Sequence, residues 1–145
     1  MNLSSHTQIR TGLDYASGST DRNGDVFDTA GFEGVLMCFK FAAIATGAVT
    51  SIKAQQGAVS NMSDATDLAG TAQSVADDDD NQIFIIDIYK PLERYVRGVV
   101  DKDASNATAE MMFYIGYGAR ELPTTMTLAD EVTYERHISP AEGTA

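Results

Sequence analysis

Tryptophan is absent from these 145 residues, cysteine occurs once, histidine twice and proline three times. A single cysteine cannot form an internal disulfide, so the fold has to rest on a core, and cysteine usage does not point to oxidative export. Cys38 lies inside an apolar run and reads as a small buried hydrophobe. One Cys and two distant His, His6 and His137, exclude a structural zinc site within one chain. Both histidines fall in polar end segments, where holding a general base to catalytic tolerance is difficult. No Gly-x-Ser-x-Gly, no Walker A sequence and no dinucleotide fingerprint occurs. Gly116-Tyr117-Gly118 closes a strand instead of opening a helix, so it reads as a bend and not a phosphate cradle. The sequence therefore predicts no enzyme, no cofactor and no metal.

Positive charge is also scarce, with 10 basic against 21 acidic residues and a formal charge of −11. Such a surface argues against binding nucleic-acid phosphates and disfavours an anionic membrane face. No apolar stretch reaches the roughly 18 residues of a membrane span. The start shows no charged segment followed by an apolar one, so no signal peptide is expected and synthesis is placed in a cytoplasm.

What is present is β-forming sequence, densest from Gln82 to Val100, where two runs of Ile, Val, Phe and Tyr flank Lys90-Pro91-Leu92-Glu93. Alternation sets Phe84, Ile86 and Ile88 on one side and Ile83, Ile85, Asp87 and Tyr89 on the other. Both sides are largely apolar, so this strand is expected to be covered on both faces. Pro91 cannot donate to a ladder and belongs in the connection. The stretch predicts a central hairpin, its second arm carrying Val96, Gly98 and Val100 on one face and Tyr95, Arg97 and Val99 on the other. Arg94 or Arg97 is expected to pair with Asp87 across it.

Residues 1–25 are polar, with scattered Leu3, Ile9, Leu13 and Tyr15, and predict an extended arm that orders against something else. Asp21 to Asp25 has oxygen-bearing side chains at alternate positions, as calcium loops do. The twelfth position, however, is Phe32 where a bidentate Glu is needed, so a turn on Asn23-Gly24 is favoured. Val35, Met37, Phe39 and Phe41 alternate with Leu36, Cys38 and Lys40 in the next strand. A meander through Gly47 then leads to a partner strand, with Ile52 and Ala54 inward and Lys53 outward. Ser63 to Gly70 has the caps of one helical turn, residues 71–76 suit a short strand, and Asp77 to Asp80 read as a solvated loop. In the strand from Ala107 to Tyr117, Met111, Phe113, Ile115 and Tyr117 share one face. Glu110, Met112, Tyr114 and Gly116 form a mixed second face, as expected near a sheet edge or an interface. Residues 121–145, with Pro123 and Ser139-Pro140, read as a second arm. Seven or so strands at even spacing predict one all-β domain, an antiparallel β-sandwich or jelly roll over residues 26–120, with extended arms at both ends.

The order of Ser17-Gly18-Ser19-Thr20-Asp21-Arg22-Asn23-Gly24, Asp28-Thr29-Ala30-Gly31-Phe32-Glu33-Gly34-Val35, Arg94-Tyr95-Val96-Arg97 and Tyr117-Gly118-Ala119-Arg120 before Pro123 resembles one family. These are the small structural proteins encoded beside the major capsid gene in tailed phages and prophages. The resemblance spans about Ser17 to Pro123, and Gly98 stands where that family often has Pro. It implies a head-decoration or cement protein, a β-sandwich on the outer capsid that staples major capsid protein subunits and uses its termini as clamps. A homo-oligomer is expected, a dimer slightly preferred to a trimer. The expected contact residues are Ile9, Leu13 and Tyr15 in the first arm, Tyr95 and Arg97 on the hairpin, and Tyr114; Tyr95, Arg97, Tyr114 and Tyr117 are expected to share a neighbourhood. The other reading is a carbohydrate-binding sandwich displayed on a virion or fibre, although the chain lacks the tryptophan such sites commonly use.

Overall fold

The computed structural model describes residues 2–139 and 141–144; Met1, Pro140 and Ala145, which belong to the two expected arms, lie outside the described residues. Two antiparallel sheets are built. The first runs β1 (Gln8–Gly18), β10 (Thr108–Tyr117), β4 (Gly34–Ile44), β8 (Ile83–Tyr89). The second runs β2 (Arg22–Asn23), β9 (Tyr95–Lys102), β5 (Thr50–Gly57), β6 (Thr66–Asp67), with β3 (Phe27–Asp28) also on β9 and β7 (Gln73–Val75) also on β5. The expected antiparallel β-sandwich is the fold.

Connectivity differs from the sequence reading. The stretch from Gln82 to Val100 is not a hairpin: β8 pairs with β4 in one sheet, while β9 pairs with β5 in the other. Its connection carries the chain across the sandwich. One end is tied to the first sheet by Lys90 N–H donating to Glu33 O (2.8 Å), the other to the second by Thr29 N–H donating to Arg94 O (2.9 Å). The same holds at Gly47, whose φ of +79° turns the chain from β4 into β5 without pairing them. A turn between two β runs has one composition whether the strands pair or cross, so local sequence does not separate the cases. The helical turn expected at Ser63 to Gly70 is replaced by turns, pinned where Asp64 accepts from Ala58 N–H (2.8 Å), and by β6.

The inward rows lie where alternation puts them. Val35, Met37, Phe39 and Phe41 of β4, Ile52 and Ala54 of β5, and Val96 and Val100 of β9 are fully buried between the sheets. On β10 the mixed face, expected near an edge or interface, is instead the core face of a central strand. Three glycines make room for it. An added Cβ at Gly12, Gly24 or Gly98 would come within 2.3–2.4 Å of the tip of Met112. The Tyr114 hydroxyl, deep in this socket, donates to Asp25 O (2.6 Å) and accepts from Gly98 N–H (3.0 Å), linking the sheets. Burial pushes its phenol well above the ordinary tyrosine range.

Glu110 is buried on the same face because its charge is matched. Lys102 Nζ, itself buried, lies 2.9 Å from both carboxylate oxygens, and Arg22 donates to Oε1 at 3.0 Å. Arg22 and Lys102 come from the opposite sheet, so the cluster joins β2, β9 and β10.

The first expected arm is part of the body. β1 pairs with β10 from Gln8↔Gly116 to Gly18↔Thr108, with register shifts between Thr11 and Leu13 and between Leu13 and Ala16. Leu13 is buried in the core, and the chain then stitches across through Gly24 N–H to Gly98 O (2.8 Å) and Asp25 N–H to Gly12 O (2.8 Å). Low local apolarity concealed this because an edge strand needs only one apolar row, and the bulges break even that row. Residues 121–139 hold one isolated bridge, Leu128↔Val132, and lie against the chain's own beginning: Thr124 Oγ1 donates to Thr7 O (2.6 Å) and Tyr134 Oη to Ser4 Oγ (2.7 Å). The segments around residues 4–18 and 121–136 therefore lie against their own subunit, and the expectation that they are free extended arms is corrected.

Deleting residues 1–25 removes β1, Leu13, Arg22 and the Asp25 acceptor together, and is expected to abolish the cooperative thermal transition followed by far-UV circular dichroism. Glu110→Gln leaves Lys102 buried without its anion and is expected to cost about 3–5 kcal/mol in urea unfolding.

Candidate functional site

The two outer faces of the sandwich are unlike. On the second sheet the outward side chains of β5 and β9, apart from Tyr95 and the buried Val99, are polar and largely tied into pairs. Lys53 bridges Asp101 (3.0 Å) and Asp67 (3.1 Å), and Arg97 Nε donates to Gln55 Oε1 (2.8 Å). The hydrogen bonds that Lys53 donates to Asp101 and then to Asp67 hold its ammonium above the usual range.

On the first sheet the outward residues fall into cross-strand rows set by the register. One row is Ile9, Ile115, Leu36 and Asp87; the next is Thr11, Phe113, Cys38 and Ile85; a third is Met111, Lys40 and Ile83. Eight of these eleven side chains are apolar, and Ile83 (61%) and Ile85 (50%) are well exposed for aliphatic residues. This is the face that the sequence reading expected to be covered along β8; within the chain it is not. Apart from polar Thr11, its charges are one cation and one anion. Lys40 donates to Asn81 O, and Asp87 accepts from the Tyr117 hydroxyl (2.7 Å). The hydroxyl end of the Tyr117 ring lies over Gly34, where an added Cβ would come within 2.4 Å of it, so only glycine fits beneath. Burial, then the Asp87 hydrogen bond, push that phenol above its ordinary range.

The edges of this sheet also differ. Along β1 the C-terminal segment covers the edge: Arg10 grips Glu131 through two bonds of 2.8 Å, Thr11 N–H donates to Glu131 Oε2 (3.3 Å), and Gln8 Nε2 donates to Thr125 O (2.9 Å). Along β8 the polar cover is the Gln73 side chain, donating to Ile85 O (3.0 Å).

The six residues expected to form contacts do not converge. Ile9 stands on the apolar face, half-buried, and Tyr15 is 65% exposed on edge strand β1. Leu13 and Tyr114 are core residues, a correction that follows from the inward side of β1 and β10 facing the second sheet. Tyr95 and Arg97 lie on the outer face of the second sheet, whereas Tyr114 reaches that sheet from its inner side, at Gly98, and Tyr117 stands on the outer face of the first. Nor do Arg94 and Arg97 reach Asp87: Arg94 makes a two-bonded fork with Asp28 (2.8 and 2.9 Å), holding that carboxyl below the usual range. What sequence reasoning missed is the apolar face itself. Its signal was the apolar character of both sides of β8 and of the Met111, Phe113, Ile115 row of β10, which became a surface only once the sheets were assigned.

The acidic runs serve as backbone caps. Asp77 accepts from Gly47 N–H (2.6 Å), Asp79 from Ala76 N–H (2.8 Å) and Asp80 from Ile44 N–H (2.8 Å), so Asp77 to Asp80 are more than a solvated loop. Asp21 likewise accepts from Lys102 N–H (2.6 Å). Among the described residues no three His, Cys, Asp or Glu side chains are grouped to hold a metal. The exposed Tyr15 and Tyr89 stand on strands at opposite edges of one sheet and form no shared stacking platform.

No family model matches the chain, and no curated protein matches it. Among solved structures it is similar to the PBSX exported protein XepA, with a TM-score of 0.54 and 17% identity over 94% of this chain. The chain spans 45% of the length of that protein. A weaker likeness, TM-score 0.45 and 14% identity over 81% of this chain and 94% of the other, is to the subunit of the disulfide-linked pili of Bacillus endospore appendages. The first shows a shared fold.

Glu131 ties the C-terminal segment down, and its carboxyl is held below the usual range, first by the Arg10 hydrogen bonds. A carboxylate with a lowered folded pKa stabilises fully above its unfolded pKa of about 4.3 and loses that contribution as pH falls through the folded value. Glu131→Gln is therefore expected to cost about 0.5–1 kcal/mol at pH 7. The gap from wild type should close as pH falls below about 4, in urea melts across that range.

Proposed function

We propose that this chain is a non-enzymatic structural subunit of a phage-type particle, a cement protein that sits on the outer capsid lattice and bridges major capsid protein subunits. The observation that carries the reading is the broad apolar outer face of the first sheet on an otherwise acidic body. Monomeric proteins rarely leave so contiguous an apolar surface open, and such surfaces mark association sites. Two further lines support it: the motif order from Ser17 to Pro123 resembles head-decoration proteins, and the fold is like that of an exported protein of the PBSX prophage. The histidines add nothing that favours catalysis. His6 Nδ1 is 2.8 Å from Asn2 O, and His137 sits beside Glu135 on the exposed C-terminal segment.

In this reading the body, not the termini, grips the lattice. Two sheets locked by Tyr114 and the Glu110 cluster form a rigid block, which loses little entropy on binding. The acidic surface keeps the subunit off packaged or spilled DNA.

Purified protein added to mature heads that lack it is expected to pellet with them saturably, at a fixed ratio to the capsid subunit, and to raise the temperature at which the heads release DNA. Absence of co-sedimentation across salt concentrations would remove the cement reading.

A further inference from the structure

The apolar face of the first sheet needs a covering partner. We propose that this partner is a second copy of the chain, with the two four-stranded sheets packed face to face about a two-fold axis along the Thr11, Phe113, Cys38, Ile85 row. The proposal deepens the reading of the chain as an assembly subunit. Its test uses the isolated protein, so failure to self-associate and failure to bind capsids register separately.

The register supplies the symmetry argument. Two residues from the central row toward one end, Lys40 sits between Met111 and Ile83; two residues toward the other end, Leu36 sits between Ile115 and Asp87. A two-fold along the central row exchanges those ends. Ile85 then packs on the partner's Ile85 and Phe113 on the partner's Phe113. Each Lys40 comes to lie over the partner's Leu36, one strand spacing of about 4.8 Å from the partner's Asp87. A lysine side chain spans that offset, so the one cation and the one anion of the face satisfy each other twice. A two-fold along β4 would instead bring Lys40 against Lys40.

Charge and area point the same way. The chain carries −11, which opposes association through most of its surface, but on this face Lys40 and Asp87 cancel. Four strands at about 4.8 Å spacing and six residues along each give roughly 500–600 Å² per copy with side-chain margins. The pair then buries about 1,000–1,200 Å², which reaches the lower limit for a specific interface. Two twisted sheets packed this way lie about 10 Å apart with strands offset by about 30°, the ordinary geometry of a sandwich. The alternation of β8, apolar on both sides, is what such a doubly covered strand requires.

Sedimentation equilibrium of the isolated chain over about 1–100 μM tests this, with circular dichroism melts to confirm folding. Wild type is expected to show twice the 15.5 kDa chain mass. Ile85→Glu, at a half-exposed position on an edge strand, sets two carboxylates face to face and is expected to weaken the dimer at least about 100-fold. Lys40→Glu opposes each Asp87 and is expected to dissociate the dimer, whereas Lys40→Glu combined with Asp87→Lys restores it. A monomeric wild type at the highest concentration, an unchanged dimer in Ile85→Glu, or a trimer or larger ring would overturn the proposal. So would a monomeric wild type whose head binding is lost in Ile85→Glu, which would give the face to the capsid instead.

Discussion

The close approach of the two sheets around Met112 and Tyr114 is the constraint on which the molecule is built. Gly12, Gly24 and Gly98 come from one strand of each sheet and from the link between β2 and β3, and each lacks the carbon that would meet the Met112 tip. Into the space so made, Tyr114 sends a hydroxyl that bonds the backbone on the far side. A bulkier residue at Gly98 would also press on Phe39, so the spacing of the sheets is set by side chains that cannot interpenetrate. The buried Glu110, on the far side of Met112 from Tyr114 along β10, extends the same logic to charge. Its partners Arg22 and Lys102 arrive from the opposite sheet only when the spacing is right, which makes the ionic cluster a check on registry.

That constraint also explains why the outer faces differ. With the mixed side of β10 turned inward and satisfied, its strictly apolar side has to face out, and it aligns with the outward rows of β4 and β8 into one surface. The second sheet shows the alternative arrangement, where Lys53, Asp67, Asp101, Arg97 and Gln55 pair among themselves and leave no apolar row. The body is therefore asymmetric, with one apolar outer side and one polar outer side.

The segments at residues 4–18 and 121–136 complete the body instead of extending it. β1 closes one edge of the first sheet, and the C-terminal segment then caps that edge through Glu131 and Thr125. This arrangement answers the edge problem on one side, since an unpaired strand edge is a template for unwanted pairing. On the β8 side the sheet relies on the Gln73 side chain.

How much could be read without the structure follows from these residues. Strand identity and inward rows were legible for β4, β5 and β9, because a period of two in Val, Met, Phe and Ile is a local property of the chain. The all-β class was legible for the same reason. β1 was not, since an edge strand interrupted by bulges carries too few apolar positions to stand out from a polar arm. The contact residues fared unevenly: Ile9 does lie on the exposed apolar face, while Tyr114, an aromatic on a mixed row, looks like an interface residue until its hydroxyl partners are seen. By itself, then, the sequence determined that this chain pleats and which side chains travel together on each strand. Only the tertiary structure decided which of two faces became core, that β8 and β9 part into separate sheets, and that Glu110 is buried. Those outcomes depend on partners tens of residues away, and alternation along one strand carries no information about what will be packed against it.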